Sequence, residues 1–132
     1  MACFDTTLPV EVHLEHVRRA FFAPGHDPTV WATGWMSEVA TWQSAALEAT
    51  EKEDWWDATA PQVLVVQGLA DAVAAPENGR RYVRDYADVA RLVEIPDAGH
   101  ARIVEQAELV GQAVVRFLTE VDGEGEVPPL SD

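Results

Sequence analysis

The hydrophobic positions near the start of the chain follow a helical period. After Leu8-Pro9, apolar residues recur at steps of three or four, which predicts an amphipathic helix. The sequence PGHDP at Pro24–Pro28 interrupts this period. The apolar positions of this first helix are Val10, Leu14, Val17, Phe21 and Phe22.

A second apolar stripe follows the interruption and is rich in tryptophan. Asp27 is a candidate N-cap and Pro28 suits the first helical position, so we expect a helix to begin here. Gly34 lies inside this helix and costs it about 1 kcal/mol relative to alanine. The stripe consists of Trp31, Trp35, Val39, Trp42 and Ala46, at steps of four, four, three and four.

From residue 59 to residue 119 the pattern changes to alternating strands and helices. Val63–Val66 is a continuous apolar run, as expected for a strand that is buried on both faces. A helix is predicted from Ala75-Pro76 to about residue 88, then a strand at Leu92–Ile95 and a helix ending near Leu118. This order predicts an α/β fold with a βαβα unit and two parallel strands. Two such strands need further neighbours, so we expect another segment or another chain to complete the sheet.

Composition narrows the class of protein. The chain has 132 residues, 48% of them hydrophobic, and a formal charge of -14. This charge argues against a nucleic-acid partner and against an anionic membrane surface. No apolar run approaches the roughly 20 residues of a membrane span, and the first residues do not resemble a signal peptide. A single cysteine, Cys3, excludes an internal disulfide and fits the cytoplasm.

Two residues that carry chemistry follow the two predicted strands. The first strand runs into GLAD, which places Asp71 just past its end, and the second runs into DAGH, which places His100 likewise. Ligands of α/β proteins bind outside the carboxyl ends of parallel strands, so both side chains should face one crevice. An acid followed by a histidine is also the order that follows a nucleophile elbow in α/β-hydrolases. Alternatively, Asp71 caps a turn and His100 is merely solvated.

The segments PQVLVVQGLADAVAAPENG, RLVEIPDAGH and AVVRFL together resemble the C-terminal half of an α/β-hydrolase-fold protein. The resemblance implies that Asp71 is the acid and His100 the base of a catalytic triad that needs no cofactor. It also implies that residues 1–58 are a helical cap-like segment and residues 59–119 the βαβα part of the core. Residues 120–132 are acidic, without periodicity, and predicted to be a disordered tail.

The nucleophile of that family is not found in this sequence. Ser37 and Ser44 are predicted to lie within a helix, Ser131 lies in the tail, and Cys3 has no elbow around it. We therefore expect the chain to act on a small-molecule substrate only when a complementing N-terminal segment or a homo-oligomer completes it. The alternative is a non-catalytic remnant or an interaction module that uses an exposed sheet edge.

Further side chains have two interpretations. Trp31, Trp35 and Trp42 are either core residues or, in a cap, the roof of a substrate pocket. His13 and His16 have the spacing of a metal pair, but no further ligands follow, so we predict a solvated helix face and no metal site.

Overall fold

The computed structural model describes residues 2–51, residue 56 and residues 62–123. No helix in these parts of the chain is long and apolar enough to cross a membrane. Short 3₁₀ turns occur at Ala2–Phe4 and Pro28–Trp31. The helices and strands are α1 (Val10–Phe21), α2 (Ser37–Glu48), β1 (Val63–Gly68), α3 (Pro76–Asp85), β2 (Ala90–Ile95), α4 (Arg102–Glu105) and α5 (Ala107–Asp122).

Strands β1 and β2 pair in parallel, which confirms the predicted βαβα unit. The register runs from Val63 opposite Ala90 to Gly68 opposite Ile95. Helix α3 connects the strands and contacts both, and α5 also packs against them. Ile95 belongs to the core on the α5 side, together with Ala98, Val110, Val66 and Val93. The fold is therefore mixed α/β, with both strands ending at the same edge of the sheet.

The strands are less buried than the sequence pattern predicts. Val63–Val66 is half-buried, and only the last two residues of β1 are fully buried. In the part of the chain that the structure describes, each strand has one hydrogen-bonded neighbour. An apolar parallel strand normally has neighbours on both sides and cover on both faces. The shortfall in burial therefore fits the expectation that other strands complete this sheet.

A second core lies between α1 and the segments on either side of it. Val17 and Cys3 are buried there, in one cluster with Ala101, the residue that directly follows His100. Burial raises the pKa of the Cys3 thiol above its ordinary value, so little thiolate is present near neutral pH. The rings of this core make edge-to-face or tilted contacts, and we call them the N-terminal aromatic cluster: Phe4, Phe21, Phe22, Trp31 and Trp35.

The prediction of one continuous helix from Pro28 to Ala46 is wrong. The chain forms a 3₁₀ turn that Asp27 caps, its Oδ1 accepting the N–H of Thr29 at 2.9 Å, and the turn ends at Trp31. Gly34 then adopts φ +89°, a left-handed conformation that glycine tolerates and that ends helical geometry. Helix α2 starts afresh at Ser37, which is therefore the first residue of the helix and not an interior one.

The last helix extends further than the apolar pattern indicates. Helix α5 continues to Asp122, and Gly123 closes it in the left-handed conformation at φ +70°. The first residues of the predicted tail, 120–122, are thus helical. Residues 124–132 lie outside the described residues, and the prediction of a disordered tail there stays a prediction.

Candidate acid–base site

The turns after the two strands are tied to each other by backbone hydrogen bonds. The N–H of Leu69 donates to the carbonyl of Ile95 at 3.0 Å, and the N–H of Ala70 donates to Ala98 at 2.9 Å. The turns approach so closely that a Cβ on Gly68 would clash with the carbonyl oxygen of Gly99. The parallel register thus continues beyond the sheet and brings Asp71 and His100 to one edge.

Asp71 is held rigidly by the turn that carries it. Its side chain is fully buried, and Oδ1 accepts the N–H groups of Val73 at 2.9 Å and Ala74 at 2.8 Å. Local bonds of this kind are the usual reason for aspartate in a tight turn. They occupy only one carboxylate oxygen, so Oδ2 is free to accept from another group.

His100 lies against that second oxygen. Its Nδ1 is 2.9 Å from Oδ2 of Asp71, the geometry of a hydrogen bond, and 36% of the side chain is exposed. An ionised carboxylate only accepts hydrogen bonds, so we assign the proton of the neutral imidazole to Nδ1. Nε2 then presents its lone pair, and no group among the described residues hydrogen-bonds to it. This is the orientation that a general base requires.

Arg102 is a third member of the site that the sequence patterns did not indicate. Its Nη1 lies 3.5 Å from Oδ2 of Asp71 and donates to the carbonyl oxygen of His100 at 3.2 Å. The guanidinium thus lies beside the buried carboxylate and bonds to the backbone of the histidine that the carboxylate contacts. The sequence does show an arginine two residues after the histidine, but this spacing alone does not predict that its side chain contacts Asp71.

The end of α1 forms one wall of the site. The ring of Phe21 lies 5.6 Å from the imidazole of His100, and the carbonyl of Phe21 accepts the N–H of Ala101 at 2.8 Å. Gly99 fits between these segments only because it lacks a side chain, since a Cβ there would lie 2.6 Å from the same carbonyl oxygen. Sequence periodicity assigned Phe21 to a helix core but did not place it beside the histidine.

The structure keeps two of the three tryptophans predicted as pocket candidates together, Trp31 and Trp35, and places Trp42 apart from them. Trp31 and Trp35 pack on Phe21, at 5.6 and 5.7 Å between ring centroids, so one ring separates them from His100. Trp42 lies on α2 and is 69% exposed. The predicted common stripe is therefore wrong, because the break at Gly34 places Trp42 on a different helix.

His13 differs from its prediction. It is buried, its Nε2 lies 2.8 Å from the carbonyl oxygen of Cys3, and its ring makes an edge-to-face contact with Trp35. The predicted solvated face is wrong here because His13 is on the side of α1 that faces the aromatic cluster. His16, one turn further on, is half-buried. Within the residues that the structure describes, no group of three or more His, Cys, Asp or Glu side chains could hold a metal ion.

Two of the serines that the sequence pattern excluded as nucleophiles, and the cysteine, lie in the part of the chain that the structure describes. Ser44 lies inside α2 and donates to the carbonyl of Ala40 at 2.9 Å, and Ser37 is exposed at the start of that helix. Cys3 is buried. Ser131 lies outside the described residues.

Comparison with known protein families gives one match that covers most of the chain. The model of a family described as TAP-like protein, within the α/β-hydrolase superfamily, matches residues 27–128. The match includes both strands and the turns that follow them. Comparisons with curated proteins and with solved structures found no significant match.

Proposed function

Since the chain belongs to the TAP-like protein family of the α/β-hydrolase superfamily, we propose that it supplies the acid and base of a nucleophile–His–Asp triad. The reaction is hydrolysis of an ester, amide or related bond in a small-molecule substrate. The observation that carries the proposal is the 2.9 Å contact between Nδ1 of His100 and the buried carboxylate of Asp71. It leaves Nε2 without a hydrogen-bond partner among the described residues, on a side chain that is 36% exposed.

Each side chain has a defined part in this reaction. Nε2 of His100 accepts the proton of the attacking hydroxyl or thiol and later returns it to the leaving group. Asp71 stays ionised, keeps the proton on Nδ1 and stabilises the imidazolium that forms. Because Oδ1 is already fixed by two backbone N–H groups, the carboxylate cannot rotate away while His100 changes charge.

The nucleophile in this proposal comes from a segment outside the described residues. No hydroxyl or thiol in the described part of the chain bonds to Nε2 of His100. The half-buried β1 also supports a completing segment, because neighbouring strands would cover it. A nucleophile on the turn after such a strand would reach the edge where Asp71 and His100 already lie.

The test compares turnover by this chain alone with turnover by this chain together with the segment that would carry the nucleophile. The coding region upstream is read for a strand–GxSxG–helix pattern, and the encoded segment is produced together with this chain. Turnover of a p-nitrophenyl ester is expected only from the combination. His100→Ala should lower this turnover on the order of 10⁶-fold, and His16→Ala, which changes a histidine outside the site, should leave it unchanged. Robust turnover by this chain alone, or turnover that persists in His100→Ala, would contradict the proposal.

The second candidate function is a non-catalytic interaction module. The observation that favours it is the half-exposed apolar strand β1, whose edge could receive a strand from another chain. Size-exclusion chromatography separates the two cases together with the turnover test. A stable complex without turnover favours the interaction module, whereas turnover that depends on His100 favours the hydrolase.

A further inference from the structure

Glu105 joins two segments that are distant in sequence. Its Oε1 accepts the N–H of Ala23 at 2.6 Å, and its Oε2 accepts the N–H of Gly99 at 2.7 Å. Ala23 and Gly99 are both buried and lie outside helices and strands, so no regular structure supplies acceptors for these N–H groups. Leaving a buried backbone N–H unpaired is costly, and one carboxylate satisfies both.

The two segments are the ones that fix His100. Gly99 directly precedes the histidine, and Ala23 follows the end of α1, whose residue Phe21 contacts the imidazole. On the other side of the histidine, the N–H of Ala101 bonds to the carbonyl of Phe21. The backbone on both sides of His100 is therefore anchored to the same short segment at the end of α1, Phe21–Ala23, once directly and once through Glu105.

We propose that Glu105 is a positioning residue for the acid–base pair. Its carboxylate holds the turn before His100 against the end of α1, and this sets the distance at which Nδ1 reaches Asp71. The significance for catalysis rests on the proposed function, but the geometric effect does not. Within the described residues Glu105 makes no ion pair, so its charge is directed entirely at the two backbone N–H groups.

A carboxylate is required because the role needs two acceptors. In Glu105→Gln one oxygen becomes an NH₂ group, which would face a backbone N–H, donor against donor. Either the bond from Ala23 or the bond from Gly99 must then be lost. In both cases the turn before His100 is no longer held against the end of α1. Glu108→Gln is the matched control. Glu108 is exposed, and among the described residues its one hydrogen bond is accepted from the side chain of Gln112 at 3.3 Å.

The experiment measures the imidazole itself, not turnover. The nitrogen-15-labelled chain of 132 residues is examined by NMR under conditions where each variant is folded, and the solvent exchange rate of the His100 Nδ1 proton is determined. Wild type and Glu108→Gln should give the same rate and the same His100 signals. Glu105→Gln should exchange this proton about tenfold faster, the change that corresponds to losing one hydrogen bond of ordinary strength.

A merely structural role would give a different result. If Glu105→Gln unfolds more easily but its His100 signals match wild type, the proposal is overturned. If Glu105→Gln does not fold, Glu105→Asp is used, which keeps the charge but shortens the reach. Loss of amide protection at Gly99 in that variant must be accompanied by faster Nδ1 exchange, and unchanged exchange would again overturn the proposal. Because no step uses turnover, failure here is distinct from failure of the ester assay.

Discussion

The turns that carry Asp71 and His100 differ sharply from helix α2 in how firmly the structure holds their side chains. Asp71 is buried and accepts three hydrogen bonds within 3 Å, two from its own turn and one from His100. In α2 no residue is buried, and Trp42 and Leu47 are 69% and 71% exposed. The two turns also bond to each other across the sequence, through Leu69 and Ile95 and through Ala70 and Ala98. The difference teaches that the acid–base pair is built into the folded chain, whereas α2 presents a surface.

Among the substitutions that test this comparison, the largest effect is expected from Asp71→Asn. The amide oxygen would keep the two bonds to Val73 and Ala74, which turns the NH₂ group toward Nδ1 of His100. Nδ1 must then accept, so the proton moves to Nε2 and the base is blocked. Turnover of the completed enzyme should fall on the order of 10⁴-fold, measured with the p-nitrophenyl ester. Asp71→Asn with unchanged turnover would show that the carboxylate has no part in the reaction.

The next largest effect is expected on stability, from a substitution at the close contact between the His100 turn and the end of α1. In Gly99→Ala the new methyl group would lie within 3 Å of the backbone at Phe21 and Ala23, and such overpacking costs about 1–3 kcal/mol of the free energy of unfolding. Gly111→Ala is the matched control, since nothing lies within 4 Å of its Cβ position inside α5. That substitution should stabilise the helix by about 0.5–1 kcal/mol. Urea unfolding measures both, and a Gly99→Ala variant as stable as wild type would contradict the described contact.

The smallest expected effect is on the free energy of unfolding, when two tryptophans of the same predicted stripe are each replaced by alanine. Trp35→Ala removes a ring from the N-terminal aromatic cluster and should lower the free energy of unfolding by about 2 kcal/mol, less than for a fully buried ring. Trp42→Ala changes an exposed position and should have an effect within about 0.5 kcal/mol. Thermal unfolding followed by circular dichroism distinguishes the two. Equal losses would mean that α2 is packed against the rest of the chain.

Local sequence signals predicted the elements that depend on local physics. The βαβα order follows from the apolar run at Val63–Val66 and from Pro76 at the start of α3, and the structure confirms it. The positions of Asp71 and His100 at the strand ends follow from the same pattern, because parallel strands end at one edge. The sequence patterns did not predict the hydrogen bond between them, because it depends on how closely the two turns approach. Their roles as acid and base stay a proposal.

Contacts that cross the sequence were not predictable in the same way. Glu105 reaches Ala23 across 82 positions, and no periodicity connects them. The contact of Arg102 with Asp71 likewise depends on how α4 leaves the His100 turn. The helix break at Gly34 was missed for a different reason: the tryptophan stripe is periodic on both sides of the glycine, and only the backbone conformation reveals the interruption.

The central claim is that Asp71 holds His100 with its proton on Nδ1 and its lone pair on Nε2. The most direct measurement is a long-range ¹H–¹⁵N NMR spectrum of the imidazole in the folded wild-type chain, at a pH where His100 is neutral. The account predicts a protonated Nδ1, bonded to Asp71, and an unprotonated Nε2. A neutral His100 with its proton on Nε2 would contradict it, because the imidazole could then neither donate to Asp71 nor accept a proton from a nucleophile.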